Sequence, residues 1–146
     1  PANVEVVATD TPAAELAALP AGACVVVLTH SHALDFDLVD AALARDDWSY
    51  LGLIGSASKR AQFERRLAAR GRPATAMARL VCPIGAKAGI TGKEPGAIAV
   101  AVAAELLARR ESFARTGVAP ARFDGGDPRA ADPVDGGAAV GAGKRA

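Results

Sequence analysis

Tyr50-Leu51-Gly52-Leu53-Ile54-Gly55-Ser56-Ala57-Ser58-Lys59-Arg60 is the stretch on which the fold turns. An apolar run is interrupted by small residues and then by two cations, the pattern of a strand, a tight turn and a helix start. Gly52 and Gly55 lack a Cβ, so the backbone can approach a ligand closely there or take a conformation other residues resist. Ser56 is a natural N-cap, and the helix it opens over 57–70 carries Phe63 and Leu67 four apart among Arg60, Glu64, Arg65 and Arg66. A strand that feeds a helix through a Gly-Ser turn aims free backbone N–H groups at one spot, and Lys59 and Arg60 place full charges beside it. That arrangement describes an anion site. The plainer reading is that Gly55 and Ser56 only cap a helix whose cations face water.

Outward from this stretch the same unit repeats. On the N-terminal side, residues 4–9 are short and β-branched, and Thr11 and Pro12 begin an Ala/Leu helix that reaches Leu19, with Thr11 as N-cap and Pro12 at N1. Cys24-Val25-Val26-Val27-Leu28 is a continuous apolar run, as in a strand covered on both faces. It ends in Thr29-His30-Ser31-His32, and a helical period follows over 34–44 with Asp35, Asp37 and Asp40 at its front end, where the dipole favours anions. The strand of the opening stretch is expected over 48–54. On the C-terminal side, Gly71 and Pro73 stop the helix, and a short helical piece over 75–79 leads to Leu80-Val81-Cys82-Pro83-Ile84-Gly85, a strand with a turn at its end. A loop over 86–93 holds Gly89 and Gly92, and Pro95 opens a helix from Gly96 to about Arg110. Residues 118–146 are rich in Gly, Ala, Pro, Asp and Arg with a single aromatic, Phe123, which lacks the apolar surface to order itself; a disordered tail is expected, with the domain over 1–111 and the tail over 112–146.

Repeated strand-helix units with short connections define an α/β fold, a three-layer Rossmann-like parallel sheet flanked by helices. Ligands of such sheets bind beyond the carboxyl ends of the strands. Three polar clusters follow strands: residues 29–32, 55–60 and 83–93. They are expected to converge on one edge.

The bulk properties narrow the functions. A length of 146 residues suits one domain, and 17 basic against 16 acidic residues leave a net charge of +1, so no global field favours nucleic acid or an anionic membrane. The two cysteines, Cys24 and Cys82, sit far apart without zinc-site spacing, and no secretory segment precedes them, which points to a reducing, cytoplasmic protein. The longest apolar run, over 97–104, is too short for a membrane span. There is no Gly-x-Gly-x-x-Gly and no Gly-x-x-x-x-Gly-Lys-Ser/Thr after a strand, and Ser56 lacks the Gly-x-Ser-x-Gly setting of a hydrolase nucleophile.

Each remaining candidate has two readings. His30 and His32 suit hydrogen bonds to a bound ligand, structural hydrogen bonds, or a metal that would need Asp35 as third ligand. The plainer reading of Asp35 is a cap for its own helix. Cys82 is a buried inert thiol or a contact for a soft metal or sulfur centre. Lys93, just before the helix at Pro95, meets a phosphate at that N-terminus or is a solvated loop lysine.

Taken together, Thr29-His30-Ser31-His32-Ala33-Leu34-Asp35, Tyr50 through Ser56 followed by Lys59-Arg60, Cys82-Pro83-Ile84-Gly85, and Gly92-Lys93 before Pro95-Gly96-Ala97-Ile98-Ala99 resemble the C-terminal Rossmann-like domain of the XdhC/CoxI family, the xanthine dehydrogenase accessory proteins. The resemblance covers about residues 3 to 110. It implies a molybdenum cofactor chaperone without turnover of its own: a protein that binds molybdopterin as cargo, protects it while its sulfido ligand is installed, and hands it to a xanthine dehydrogenase type molybdoenzyme, with a cysteine desulfurase as a further partner and a homodimer as one assembly. Thr29, His30, His32, Asp35, Gly52, Gly55, Ser56, Lys59, Arg60, Cys82, Gly85 and Lys93 are then the cofactor-binding residues, with the phosphate at the Gly55-Ser56 turn. In the ordinary strand order 3-2-1-4-5-6, the strand at Val4 is the third, so the sheet is expected to lack its first two strands, as part of a longer protein would. Glu94 also stands where a Ser or Thr cap is more usual. An NAD(P)-binding oxidoreductase domain and an inactive truncated fragment are the alternatives.

Overall fold

In the computed structural model, which describes residues 3–90 and 92–116, three parallel strands form the sheet. Helix α1 (Pro12–Ala18) precedes strand β1 (Cys24–Val27). Helix α2 (His32–Leu43) then leads to β2 (Tyr50–Leu53), and α3 (Ala57–Ala69) with the short α4 (Ala74–Met77) leads to β3 (Leu80–Val81). A 3-10 turn (Ala86–Ala88) and the long α5 (Pro95–Thr116) complete the order. The strands lie in the order β1-β2-β3, with Val25 opposite Leu51, Val27 opposite Leu53, and Gly52 opposite Val81.

Side chains alternate across a strand, and here the alternation separates two cores. Val25, Val27, Leu51, Leu53 and Leu80 face α2 and α3, where Phe36, Val39, Leu43, Phe63 and Leu67 are buried. The Phe36 and Phe63 rings meet edge to face, 5.2 Å between centroids. Tyr50 and Val81 face the other way, with Ile84 and with Ala101 of α5. Helices on both faces of a parallel sheet make the fold three-layered and Rossmann-like, as the repeated units imply.

Several boundaries differ from the sequence expectation. Residues 4–9 form no strand; they take no regular structure and stay exposed, Val6 at 88 %. A strand needs a neighbour for its backbone N–H and C=O groups, and among the described residues none pairs with this segment. Helix α2 begins at His32 rather than Leu34, because the Ser31 hydroxyl accepts the Leu34 N–H and caps the helix earlier. Thr11 precedes α1 without a side-chain cap bond, although Pro12 does stand in its first turn. Strand β3 is only two residues long, since Pro83 has no N–H to continue the ladder. Helix α5 runs past the expected end near Arg110 to Thr116. The tail expected beyond, 117–146, lies outside the described residues.

Candidate functional site

At the carboxyl end of β2 the chain leaves the sheet through Ile54-Gly55-Ser56 and enters α3. Ser56 caps that helix as expected, its hydroxyl accepting the Lys59 N–H at 3.2 Å. At the end of β3 the chain turns through Pro83 and Ile84 to Gly85, whose φ of +83° suits glycine and whose N–H is donated to Glu105 Oε1 at 2.6 Å. A methyl group on Gly85 would lie 2.6 Å from the Ala101 side chain, so α5 packs against this turn directly. Between the two turns and the front of α5 is a cavity of about 410 Å³. Ile54, Gly55, Ser56 and Ala57 form one wall, Pro83, Ile84, Ala86 and Ile90 the second, and Gly92, Lys93, Ile98 and Ala101 the third.

The interior of this cavity is apolar and its polar groups sit at the rim: the Ser56 hydroxyl, the exposed Lys93 ammonium, and the backbone where α3 and α5 begin. The first N–H groups of a helix have no partner within it, so both helix starts present donors to an anion at the mouth.

Lys59 and Arg60 are not placed as the sequence suggests. Both turn into the fold rather than toward a ligand at the Gly-Ser turn. Lys59 Nζ donates to Asp35 Oδ2 at 2.5 Å and to the Ile54 carbonyl at 3.0 Å. Arg60 donates to the Leu80 carbonyl at 2.6 Å and the Cys82 carbonyl at 3.3 Å, and pairs with Glu64 at 2.8 Å. The reason is electrostatic: a buried carboxylate and the carbonyls at strand ends require donors, and these two cations are the ones in reach.

The remaining candidates divide by location. Asp35 is 1 % exposed and does not cap α2, which Ser31 caps; its Oδ1 accepts the Thr29 N–H at 3.0 Å instead. The Thr29 hydroxyl donates to the Ser31 carbonyl at 2.9 Å, which shapes the turn after β1. His30 and His32 stand exposed on that turn and do not line the cavity. With Asp35 held by Lys59 and Thr29, the three do not form a metal site, and among the described residues no group of three His, Cys, Asp or Glu could hold a metal. Gly52 lies within β2, where a methyl group would meet the Tyr50 ring at 2.6 Å and Ile84 at 2.8 Å; its role is packing, not ligand approach. Cys82 is buried beside the Gly55-Ser56 turn, Sγ 3.9 Å from the Ser56 carbonyl. Burial pushes its thiol up to about 11, with the Arg60 and Lys59 charges only partly opposing, so it is protonated at neutral pH.

Sequence reasoning did not single out the apolar lining, Ile54, Pro83, Ile84, Ile90 and Ile98, because isoleucine next to a turn reads as core. Nor did it find Glu105, which accepts both the Gly85 N–H and the Tyr50 hydroxyl, the latter at 2.5 Å. A lone acid inside the apolar run of α5 was the available signal.

The model of the XdhC Rossmann domain matches residues 1–106, most of the chain. The protein belongs to that family. The XdhC family is linked to xanthine dehydrogenase maturation. No curated protein matches the chain. Among the described residues no helix is long and apolar enough to cross a membrane.

Proposed function

We propose that this XdhC-type chain binds the molybdenum cofactor as cargo and delivers it to a xanthine dehydrogenase type molybdoenzyme. The observation that carries the reading is the cavity at the carboxyl ends of β2 and β3, with an apolar interior and a rim of two helix starts, Ser56 and Lys93. Its 410 Å³ lies within the roughly 300–1,000 Å³ range of small-molecule sites. The pterin ring enters between the isoleucines, and the phosphate rests at the rim by Ser56 and Lys93. Cys82, protonated behind Gly55, acts as a neutral packing group and not as a thiolate ligand to the metal. His30 and His32 remain available at the mouth of the neighbouring turn for the cargo's outer groups or for the receiving enzyme. Delivery also suits a cysteine desulfurase partner, which would meet the same exposed edge.

An NAD(P)-binding oxidoreductase is the second reading, and the cavity's position weighs against it. Dinucleotides bind where the strand order reverses, and the described strands run β1-β2-β3 without a reversal, so this cavity at the ends of the neighbouring β2 and β3 is not at such a point. The test is anaerobic titration of the purified chain with molybdenum cofactor, followed by gel filtration and fluorescence of the oxidised pterin. Near-stoichiometric co-elution is expected, abolished by Ile98→Trp, which fills the cavity. Lys93→Ala, which removes one charge-assisted contact worth about 1.5–3 kcal/mol, should weaken binding about tenfold or more. A cooperatively melting chain that carries no cofactor overturns the reading, and saturable NAD(P) binding would replace it. A broad, non-cooperative melt would support the inactive fragment instead.

A further inference from the structure

We propose that Asp35 and Lys59 are positioning residues: their buried ion pair fixes the cavity wall at 54–56 against the histidine turn at 29–32, so that the two act as one receptor. The inference rests on the reading of the cavity as the cargo site.

One oxygen of Asp35 takes the Thr29 N–H at the end of β1, and the other takes Lys59 Nζ, which also donates to the Ile54 carbonyl at the end of β2. A single carboxylate and a single ammonium therefore clamp one backbone group from each loop. Arg60, next along the first turn of α3, does the same for the end of β3 through the Leu80 and Cys82 carbonyls. One turn of α3 thus grips the ends of β2 and β3, and through Asp35 of α2 it is tied to the end of β1. The wall is adapted to the pair as well. A methyl group on Gly55 would lie 2.6 Å from Lys59 Cδ, so the glycine in the cavity wall is the residue over which the lysine stem passes.

Burial shows why stability alone is a poor account. The Lys59 side chain is 10 % exposed and that of Asp35 1 %, and the cost of desolvating two charges offsets much of their attraction. Apolar or neutral side chains of similar size commonly hold a fold equally well. What a neutral pair cannot do is fix the Thr29 N–H and the Ile54 carbonyl by directed bonds to charged groups. Geometry is the property that the ion pair adds, and the two loops it joins are the cavity wall and the turn that carries both histidines of the chain.

The test is the Asp35→Asn, Lys59→Met double variant. It keeps side-chain size and an acceptor for Thr29, and removes both charges and the donor to Ile54. Three readouts are compared with the native chain: melting temperature, molybdenum cofactor affinity, and amide hydrogen exchange at 29–32 and 54–56. The expected result is a cooperative melt close to native, affinity reduced about tenfold because the wall is misplaced, and faster exchange in both loops together. Because the chain has two histidines, both on the turn, their imidazole proton resonances report it directly; they should shift on cofactor addition in the native chain and much less in the variant. Native affinity in a folded variant, or faster exchange confined to one loop, overturns the proposal. If the native chain binds no cofactor, the cargo reading fails, while the exchange comparison still decides whether the pair couples the loops. Should the double variant not fold, Gly55→Ala serves in its place, since it displaces the lysine stem with both charges retained and must produce the same paired rise in exchange.

Discussion

The two faces of the sheet are built from the same strands and differ in kind. Toward α2 and α3, Val25, Val27, Leu51, Leu53 and Leu80 meet Phe36, Val39, Phe63 and Leu67, most of them fully buried. Toward α5, Tyr50, Val81, Ile84 and Ala101 make a thin layer, and two cavities of about 410 and 390 Å³ lie on that side. Strand alternation produces both, since one residue in two faces each way. The lesson concerns division of labour. The close-packed face holds the strand ends still, and the thin face leaves room for a ligand beside them.

The largest loss of stability is expected at Phe63. Phe63→Ala removes a ring with no solvent exposure and its edge-to-face contact with Phe36, and should cost about 3–5 kcal/mol, read by urea unfolding. Ile98→Ala, on a wall that already borders a cavity, should cost about 1 kcal/mol or less. If the two losses are equal, the faces are not distinct in packing. A smaller effect sharpens the picture at Gly52. The α5 face is thin but not slack there: a methyl group would stand 2.6 Å from the Tyr50 ring and 2.8 Å from Ile84, so Gly52→Ala should destabilise by about 1–3 kcal/mol of overpacking. A neutral Gly52→Ala would mean that the Tyr50 ring moves freely, contrary to its bond to Glu105.

The fold was legible in the sequence because period and punctuation agree. The valine run at 25–27, the Gly55-Ser56 break and the Phe63/Leu67 spacing each dictate local structure that tertiary packing then keeps. The strand expected at 4–9 failed because strand formation is a property of pairs, and β-branched residues alone cannot supply the neighbour. The site was legible only in part, for a related reason. Sequence spacing put Gly55, Ser56 and Lys93 at one sheet edge, and all three line the cavity there. It could not tell which way a long side chain points. Lys59 and Arg60 are as able to reach a ligand as to reach Asp35 or a strand-end carbonyl, and that choice depends on acceptors 24 and 20 residues away in sequence. The apolar wall was missed because an isoleucine lining a cavity and one filling a core have the same neighbours in sequence.

The smallest effect is expected where the close-packed face is rimmed by ions. Asp40 on α2 accepts from Arg70 at 2.7 Å and Arg72 at 2.6 Å. Burial alone would raise its carboxyl, but the Arg72 and Arg70 guanidiniums outweigh that and hold it below the ordinary aspartate value of 3.8. The sign follows from linkage. A carboxyl with a lowered folded value stabilises the native state above pH 3.8 and loses that contribution as pH falls through its folded value, because the unfolded chain takes up the proton first. Partly exposed pairs of this kind contribute about 1 kcal/mol or less, so Asp40→Asn should lower stability at neutral pH by no more than that. The native and variant curves should then converge on acidification below pH 3.8, measured by urea midpoints across the range. A loss rivalling that of Phe63→Ala, or a difference that persists in acid, would place the strength of this face in its ionic rim rather than in the interlocked aromatic and aliphatic side chains beneath it.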